Sequence, residues 1–322
     1  MIKEERLLDM SDVGLGNLTE YRLLVLLGNY HSLCLVEGLD IMPDQIVDSS
    51  EKLLYPAYFT THLKIPVTNL IENYTLWENI QVEVDVKRFG SNILDSAYSF
   101  NKKASKEELK ESIEMTSNSL FVVDATIDKS VERTSSVPKS NCIAALEKSK
   151  VVPKALKLFK NIRNNGMLLE FEHIVECPSF EYKIVSNRDA SNNHGVIFAK
   201  YIEIMDICEQ EFLCSSGCLG LPLSIISCIH TIDRQTFYYS NCFADEVIEV
   251  KLKLAFEKCE ERNLTGEKSE LTPYRIIETH ELFNKHTHNL VAIAKTTKIV
   301  CLSPKYTDLE SDINRLVIKQ RK

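Results

Sequence analysis

The chain states one pattern of elements twice. Gly14-Leu15-Gly16-Asn17-Leu18-Thr19-Glu20 opens a long apolar helical stretch over residues 21–39. Segments that alternate apolar and polar residues follow at 54–65, 80–89, 93–100 and 120–128. Asn192-Asn193-His194-Gly195 then opens a second helical stretch, 196–213, followed by alternating segments at 225–232, 236–242, 247–257, 274–284 and 290–301. A period of 3.6 and a period of 2 bury different sets of residues, so the pattern constrains each segment to one kind of element. A long helix followed by several antiparallel strands, given twice, predicts two copies of one unit. The pocket of such a pair lies at the seam between the copies.

The first helix has a broad apolar face in Leu23, Leu24, Leu26, Leu27, Leu33 and Leu35, and such a helix must be wrapped by a sheet. Ser11, Asp12 and Asn17 precede it as capping residues. Gly28 permits close backbone approach at mid-helix. Ile80-Gln81-Val82-Glu83-Val84-Asp85-Val86-Lys87 alternates strictly, and Val247-Ile248-Glu249-Val250-Lys251-Leu252-Lys253-Leu254 repeats the pattern at the matching place in the second half. Residues 101–118 and 129–141 read as polar surface connections, 151–162 as a lysine-bearing helix joining the halves, and 258–273 as a polar excursion. The charged tail after 306 reads as a docked helix. The expected units are 1–145 and 146–322, the second carrying the linker helix and the tail. The fold class is α+β, with each half a long helix wrapped by a curved antiparallel sheet.

A formal charge of −8 argues against a general nucleic-acid binder, which carries a basic face, and does not favour an anionic membrane surface. No apolar run reaches membrane-spanning length, since the longest, near 219–229, is broken by Pro222 and serines. The charged start is no secretory signal. A cytoplasmic location follows, with the ten cysteines as free thiols. Cys214-Ser215-Ser216-Gly217-Cys218 lacks a second pair, and His286-Thr287-His288 lacks a further ligand nearby, so no metal is expected. Gly14-Leu15-Gly16 lacks the third glycine and the preceding strand of a dinucleotide site.

Several motifs resemble the double hot-dog acyltransferase/decarboxylase family of leinamycin-type polyketide biosynthesis. Gly16-Asn17-Leu18-Thr19-Glu20-Tyr21-Arg22-Leu23-Leu24 is similar to its Gly-Leu-Ser-Glu loop and helix. Tyr55-Pro56-Ala57-Tyr58-Phe59 resembles its tyrosine-bearing strand, and Glu72-Asn73 and Lys87-Arg88-Phe89-Gly90 resemble its next strands. His194-Gly195-Val196-Ile197-Phe198-Ala199-Lys200-Tyr201 resembles the start of its second helix. Phe237-Tyr238-Tyr239-Ser240-Asn241-Cys242-Phe243-Ala244-Asp245-Glu246 and Ala292-Ile293-Ala294-Lys295-Thr296-Thr297-Lys298 resemble later strands. Phe243 stands where an Asp is common and Lys200 where a small residue is common.

The resemblance implies a double hot-dog fold and a definite chemistry. A malonyl- or methylmalonyl-type group is taken from coenzyme A, decarboxylated, and passed to the phosphopantetheine of an acyl carrier protein. No further cofactor is implied. The nucleophile would be a tyrosine on the first strand, Tyr55 or alternatively Tyr58. A phenol with a pKa near ~10 needs a base or a positive field to react. His62 shares a strand face with Tyr58, and lies opposite Tyr55, if no bulge intervenes. Gly16, Asn17 and Leu18 at one helix start, and His194 and Gly195 at the other, would present backbone amides to a thioester carbonyl or enolate. Asn241 and Asp245 would orient the thioester or the leaving carboxylate.

Two other readings stand beside this one. A hot-dog dehydratase or thioesterase would use a His with an Asp or Glu across the seam; the first helix offers Glu20 and Glu37 without a matched His. A non-catalytic thioester-binding module would keep the tunnel and the departures at Phe243 and Lys200. Acyl-CoA and an acyl carrier protein are the expected partners, with no nucleic acid and no membrane. Carrier proteins are acidic, so a local basic patch is required, with Lys87 and Arg88 as candidates. A homodimer is left open, because a fused double unit already supplies the pairing that single hot-dogs obtain by dimerising.

Overall fold

The structure is a computed structural model that describes residues 1–13, 16–39, 42, 45–103, 111–123, 135–139, 143, 145–167, 174–190, 195–215, 220–221, 223–258 and 271–301. Strand β1 (Ile2–Leu7) and the short helix α1 (Met10–Val13) lead into the long helix α2 (Glu20–Leu39). Strands β2 (Leu54–Lys64), β3 (Asn79–Phe89), β4 (Ile93–Lys102) and β5 (Ile113–Val123) follow. Helix α3 (Lys154–Asn165) crosses to the second half. There β6 (Val175–Glu176), β7 (Phe180–Lys183) and α4 (Ser186–Asp189) precede the second long helix, α5 (Phe198–Cys214). Helix α6 (Leu223–Ile226) and strands β8 (Ile229–Tyr238), β9 (Val247–Lys258), β10 (Leu271–Asn284) and β11 (Leu290–Cys301) complete the order.

All strands join one antiparallel sheet in the order β1-β3-β4-β5-β2-β8-β11-β10-β9-β6, with β7 also on β9. Read outward from the β2–β8 junction, both sides run through the same relative strand order. This is the double hot-dog expected from the sequence. Alternation sets the inner face: Ile80, Val82, Val84 and Val86 of β3, and Ile248, Val250, Leu252 and Leu254 of β9, all enter one core. The halves join where Thr60 pairs with Phe237 and Lys64 with Asp233. Helices α2 and α5 pack on each other across this junction. At Gly28 a Cβ would lie 3.1 Å from the Phe198 ring, so the missing side chain is what lets the start of α5 seat on the middle of α2.

Several boundaries differ from expectation for one physical reason. β5 starts at Ile113, not 120, because Thr116-Ser117-Asn118-Ser119 are strand residues whose polar groups are used inside. Ser117 Oγ lies 3.1 Å from the Tyr98 hydroxyl, and Thr60 Oγ1 donates to Asn118 Oδ1. β8 is a single strand rather than two, since Asp233-Arg234-Gln235 continue the ladder and Arg234 is buried. The cap of α2 is Thr19, whose Oγ1 accepts from the Arg22 amide at 3.3 Å, rather than Ser11, Asp12 or Asn17. The 258–273 excursion and the tail after 306 fall wholly or mostly outside the described residues.

Candidate functional site

The seam has two ends, each formed by the first turn of one long helix against the middle of the other. At the α2 end a cavity of about 500 Å³ opens, a size typical of small-molecule sites. Leu18, Thr19 and Glu20 of the α2 start line it together with Asp206, Glu209, Gln210 and Leu213 of α5. Ile65, Ile71, Leu223, Ile226 and Ile229 supply apolar wall, and Lys298 stands among the lining residues. The first amides of α2 lack intrahelical acceptors and carry partial positive charge.

A buried charge cluster underlies this cavity. Arg234 Nε is 2.8 Å from Glu20 Oε1, and its Nη2 donates to Asp206 Oδ1 at 2.6 Å. Lys298 pairs with Glu209 and lies 3.8 Å from Asp206 and 3.9 Å from Glu278. Burial pushes the Glu20 carboxyl up to about 7, against the pull of Arg234. Burial, reinforced by Glu209, pushes Glu278 well above the carboxylate range. Against the cost of burial, Arg234 and Lys298 hold Asp206 below its usual value. Burial, with Arg234 and Lys298 beside it, takes His280 down to about 3 and keeps it neutral. Two cations thus face four carboxyls, and the cluster reaches neutrality when Glu278 and Glu20 hold protons. Glu20 is the member poised near neutral pH.

At the α5 end the Tyr58 ring packs 4.2 Å from that of Phe198 and 5.3 Å from that of His31. His31 Nδ1 lies 3.0 Å from the Tyr98 hydroxyl and 3.2 Å from Ser96 Oγ; Tyr98 in turn lies 3.5 Å from the Tyr58 hydroxyl. Burial takes His31 down to about 4 and raises the Tyr58 phenol well above its usual value. Helix α5 starts without a side-chain cap, and Val196 donates to the Cys242 carbonyl at 2.9 Å. Gly195 bridges Phe243, and a Cβ on it would lie 3.9 Å from Asn241 Nδ2.

The structure therefore divides the residues singled out from sequence. Tyr58, Gly195 and Asn241 come to the α5 end, and Leu18 to the α2 end, where Gly16 and Asn17 are exposed beside it. Tyr55 and His62 do not face the seam. A bulge between Tyr58 and Thr60 leaves Phe59 unpaired with β5. Tyr58 and Leu63 consequently both enter the core at an odd spacing, and Phe59 turns outward onto Phe159 of α3. His62 then lies on the outer side, opposite Tyr58, where Asp233 meets it at 3.0 Å; the expected sharing of a face is reversed. Alternation from Leu54 and Tyr58 puts Tyr55 outside as well. Asp245 is a turn residue with φ 68°, exposed and 3.7 Å from Lys183. His194 lies outside the described residues. Lys200 is held by Asp189 at 3.0 Å and by Glu203, with its ammonium 5.6 Å from the Tyr21 ring, so it packs structure rather than substrate.

Sequence reasoning missed His31, Asp206, Glu209, Arg234, Glu278 and Lys298. The signal was present: Glu278 sits in phase with buried Ile276, His280 and Leu282, and Lys298 in phase with Ala294, Thr296 and Val300. A charge in the apolar row of a strand marks a buried charge that needs partners.

No protein-family model and no curated protein matches the sequence. Solved structures do match. A protein from Lactobacillus plantarum, provisionally named an oleoyl thioesterase, aligns with TM-score 0.60 at 8% identity, over 94% of this chain and 96% of its own. An acyl-ACP thioesterase from Bacteroides thetaiotaomicron aligns with TM-score 0.55 at 12% identity, over 92% and 97%. A 12:0-ACP thioesterase from Umbellularia californica aligns with TM-score 0.55 at 15% identity, over 92% and 96%. At these identities the likeness is one of fold, and it extends across both halves of the chain.

Proposed function

We propose that the protein hydrolyses acyl thioesters in the α2-end cavity, with Glu20 as the proton carrier. The observation that carries this reading is the placement of a carboxyl with a pKa near 7 in a cavity at a helix start. That value suits a general base and acid at neutral pH. A water molecule gives its proton to the Glu20 carboxylate as its oxygen attacks the thioester carbonyl carbon. The charge that develops on the carbonyl oxygen is met by the first amides of α2. The carbon–sulfur bond then breaks, and Glu20 returns the proton to the leaving thiolate. Arg234 and Lys298 keep the remaining carboxylates paired, so Glu20 is the group left to exchange protons. The names of the structural neighbours support thioesters as the substrate class.

The test is release of free thiol from acyl-CoA and acyl-carrier substrates of graded chain length. Glu20→Gln is expected to lower kcat by about 10²-fold or more, the scale of general acid–base catalysis. Hydrolysis undiminished in Glu20→Gln overturns the assignment.

A second reading keeps the acyl transfer with decarboxylation, at the α5 end. The contact of Tyr58 with the first residue of α5, beside neutral His31, favours it. Burial works against a phenolate there, so His31 would have to take the phenolic proton through Tyr98. Mass spectrometry of protein, carrier and CoA products after incubation with methylmalonyl-CoA separates the readings. Transfer with loss of CO₂, abolished by Tyr58→Phe, supports this one; hydrolysis alone supports the first.

A further inference from the structure

We propose that the outer surface of α3 is the docking surface for an acyl carrier protein, an inference that rests on the reading of acyl thioesters as substrates. Residues 148–167 hold Lys148, Lys150, Lys154, Lys157, Lys160 and Arg163 and no carboxylate, in a chain whose formal charge is −8. All six cations are exposed, and among the described residues none of them forms an ion pair.

Arg163 in the last turn of α3 suits the helix dipole, but the lysines at its start do not serve the helix that carries them. Lys154 and Lys157 occupy the start of α3, where the helix dipole is positive and cations are unfavourable. The first turn has no acidic residue, and Pro153 at the cap position offers no side-chain hydrogen bond. What holds α3 is its other side. Phe159 packs edge-on to Phe59 and stacks on Tyr239, and Ile162 packs with Phe237 and Ile293 on the outside of the β2–β8–β11 region. Phe159 and Ile162 are thereby turned to the sheet, while Leu158 and, ahead of the helix, Val151 and Val152 stay exposed. A helix lying in a bilayer surface would need the side that bears Phe159 and Ile162 for lipid. The face left to solvent is a positive strip with Val151, Val152 and Leu158 among its cations, a mixed surface that complements an acidic carrier protein with some apolar contact and speeds its encounter.

The location fits delivery into the seam. Tyr239 donates its hydroxyl proton to the Phe159 carbonyl at 3.1 Å, and the chain runs from Tyr239 through Ser240 to Asn241. A carrier on α3 is thus seated at the α5 end, where Asn241 and Gly195 meet, and its extended phosphopantetheine arm would have to run along the seam to reach Glu20 at the other end. The patch expected at Lys87 and Arg88 is only partly of this kind. Lys87 is neutralised by Asp85 at 3.2 Å and Glu147 at 3.6 Å. Arg88 lines a cavity of about 570 Å³ with Lys148, at the edge of the strip.

The experiment compares the full chain with Lys154→Glu/Lys157→Glu/Lys160→Glu, and with the corresponding alanine set, after circular dichroism shows both folded. Binding of a freestanding holo-acyl carrier protein is measured by titration at low and high salt, with phosphatidylglycerol vesicles as the competing surface. Binding that weakens at least tenfold in the glutamate set, less in the alanine set, and falls with salt is the expected result. Turnover of acyl-CoA should be unchanged in both sets while KM for the acyl-carrier substrate rises. Carrier binding that is absent, or equal in all three proteins, overturns the proposal, as does binding to vesicles without binding to carrier. Acyl-CoA hydrolysis reads the proposed activity separately, since it needs no docked protein.

Discussion

Arg234 is the residue whose loss the seam should feel most. Its guanidinium is almost wholly buried and answers both Glu20 and Asp206. Arg234→Met keeps much of the side-chain volume and removes the charge. Breaking a buried pair typically costs about 3–5 kcal/mol, because the abandoned charge stays in a poor solvent. Lys298 remains 3.8 Å from Asp206, so the lower half of that range, about 3–4 kcal/mol, is expected. For 322 residues the unfolding entropy is roughly 0.7 kcal/mol/K, which makes the shift in Tm about 5 °C. The deficit should also depend on pH. Without Arg234 the cluster regains neutrality by protonating carboxylates, and each pH unit is worth about 1.4 kcal/mol per proton taken up. The loss should therefore be larger at pH 8 than at pH 6, and Glu20→Gln in the same chain should recover part of it. Urea unfolding followed by far-ultraviolet circular dichroism measures this; Trp77, the sole tryptophan, is exposed and a poor reporter of the core. A deficit below about 1 kcal/mol at both pH values, or no recovery with Glu20→Gln, refutes the reasoning.

The remaining predictions concern pH, helix contact and the α5 end. The rate of thioester hydrolysis should rise through about pH 7 as Glu20 ionises, and the residual rate of Glu20→Gln should lack that limb in a pH–rate profile. His31 is neutral in the fold, with a pKa near 4 against 6.5 unfolded, so its contribution is complete above pH 6.5 and is lost as pH falls toward 4. That is about 3 kcal/mol at most, and urea midpoints of His31→Gln should fall less steeply with acid than those of the parent. The raised carboxyl of Glu20 acts in the opposite sense, weakening the fold as pH climbs from 4.5 to about 7, and Glu20→Gln should remove that slope. Gly28→Leu should destabilise by about 1–3 kcal/mol through collision with Phe198, and Phe198→Ala added to it should restore part of the loss in the same unfolding assay.

The amino-acid sequence on its own determined the two long helices and the strongly alternating strands, and that the set occurs twice; it did not show β1, β6 and β7 or the reach of β5 back to Ile113. Those properties follow from the period of the apolar residues, which is local: β3 and β9 show it in strict alternation, and α2 in its row of leucines. The fold class was legible for that reason. The seam was not. The bulge at Phe59 turned His62 away from Tyr58, and no local signal marks a single extra residue in a ladder. Asp206, Arg234, Glu278 and Lys298 come from four separate elements, and their burial is tolerable only because the sheet order brings opposite charges within ion-pair distance. The pKa of Glu20 depends on how far water is excluded around it and on a guanidinium more than two hundred residues away in the chain. Local periodicity fixes faces, whereas the dielectric and the partners of a buried charge exist only once the two halves have met.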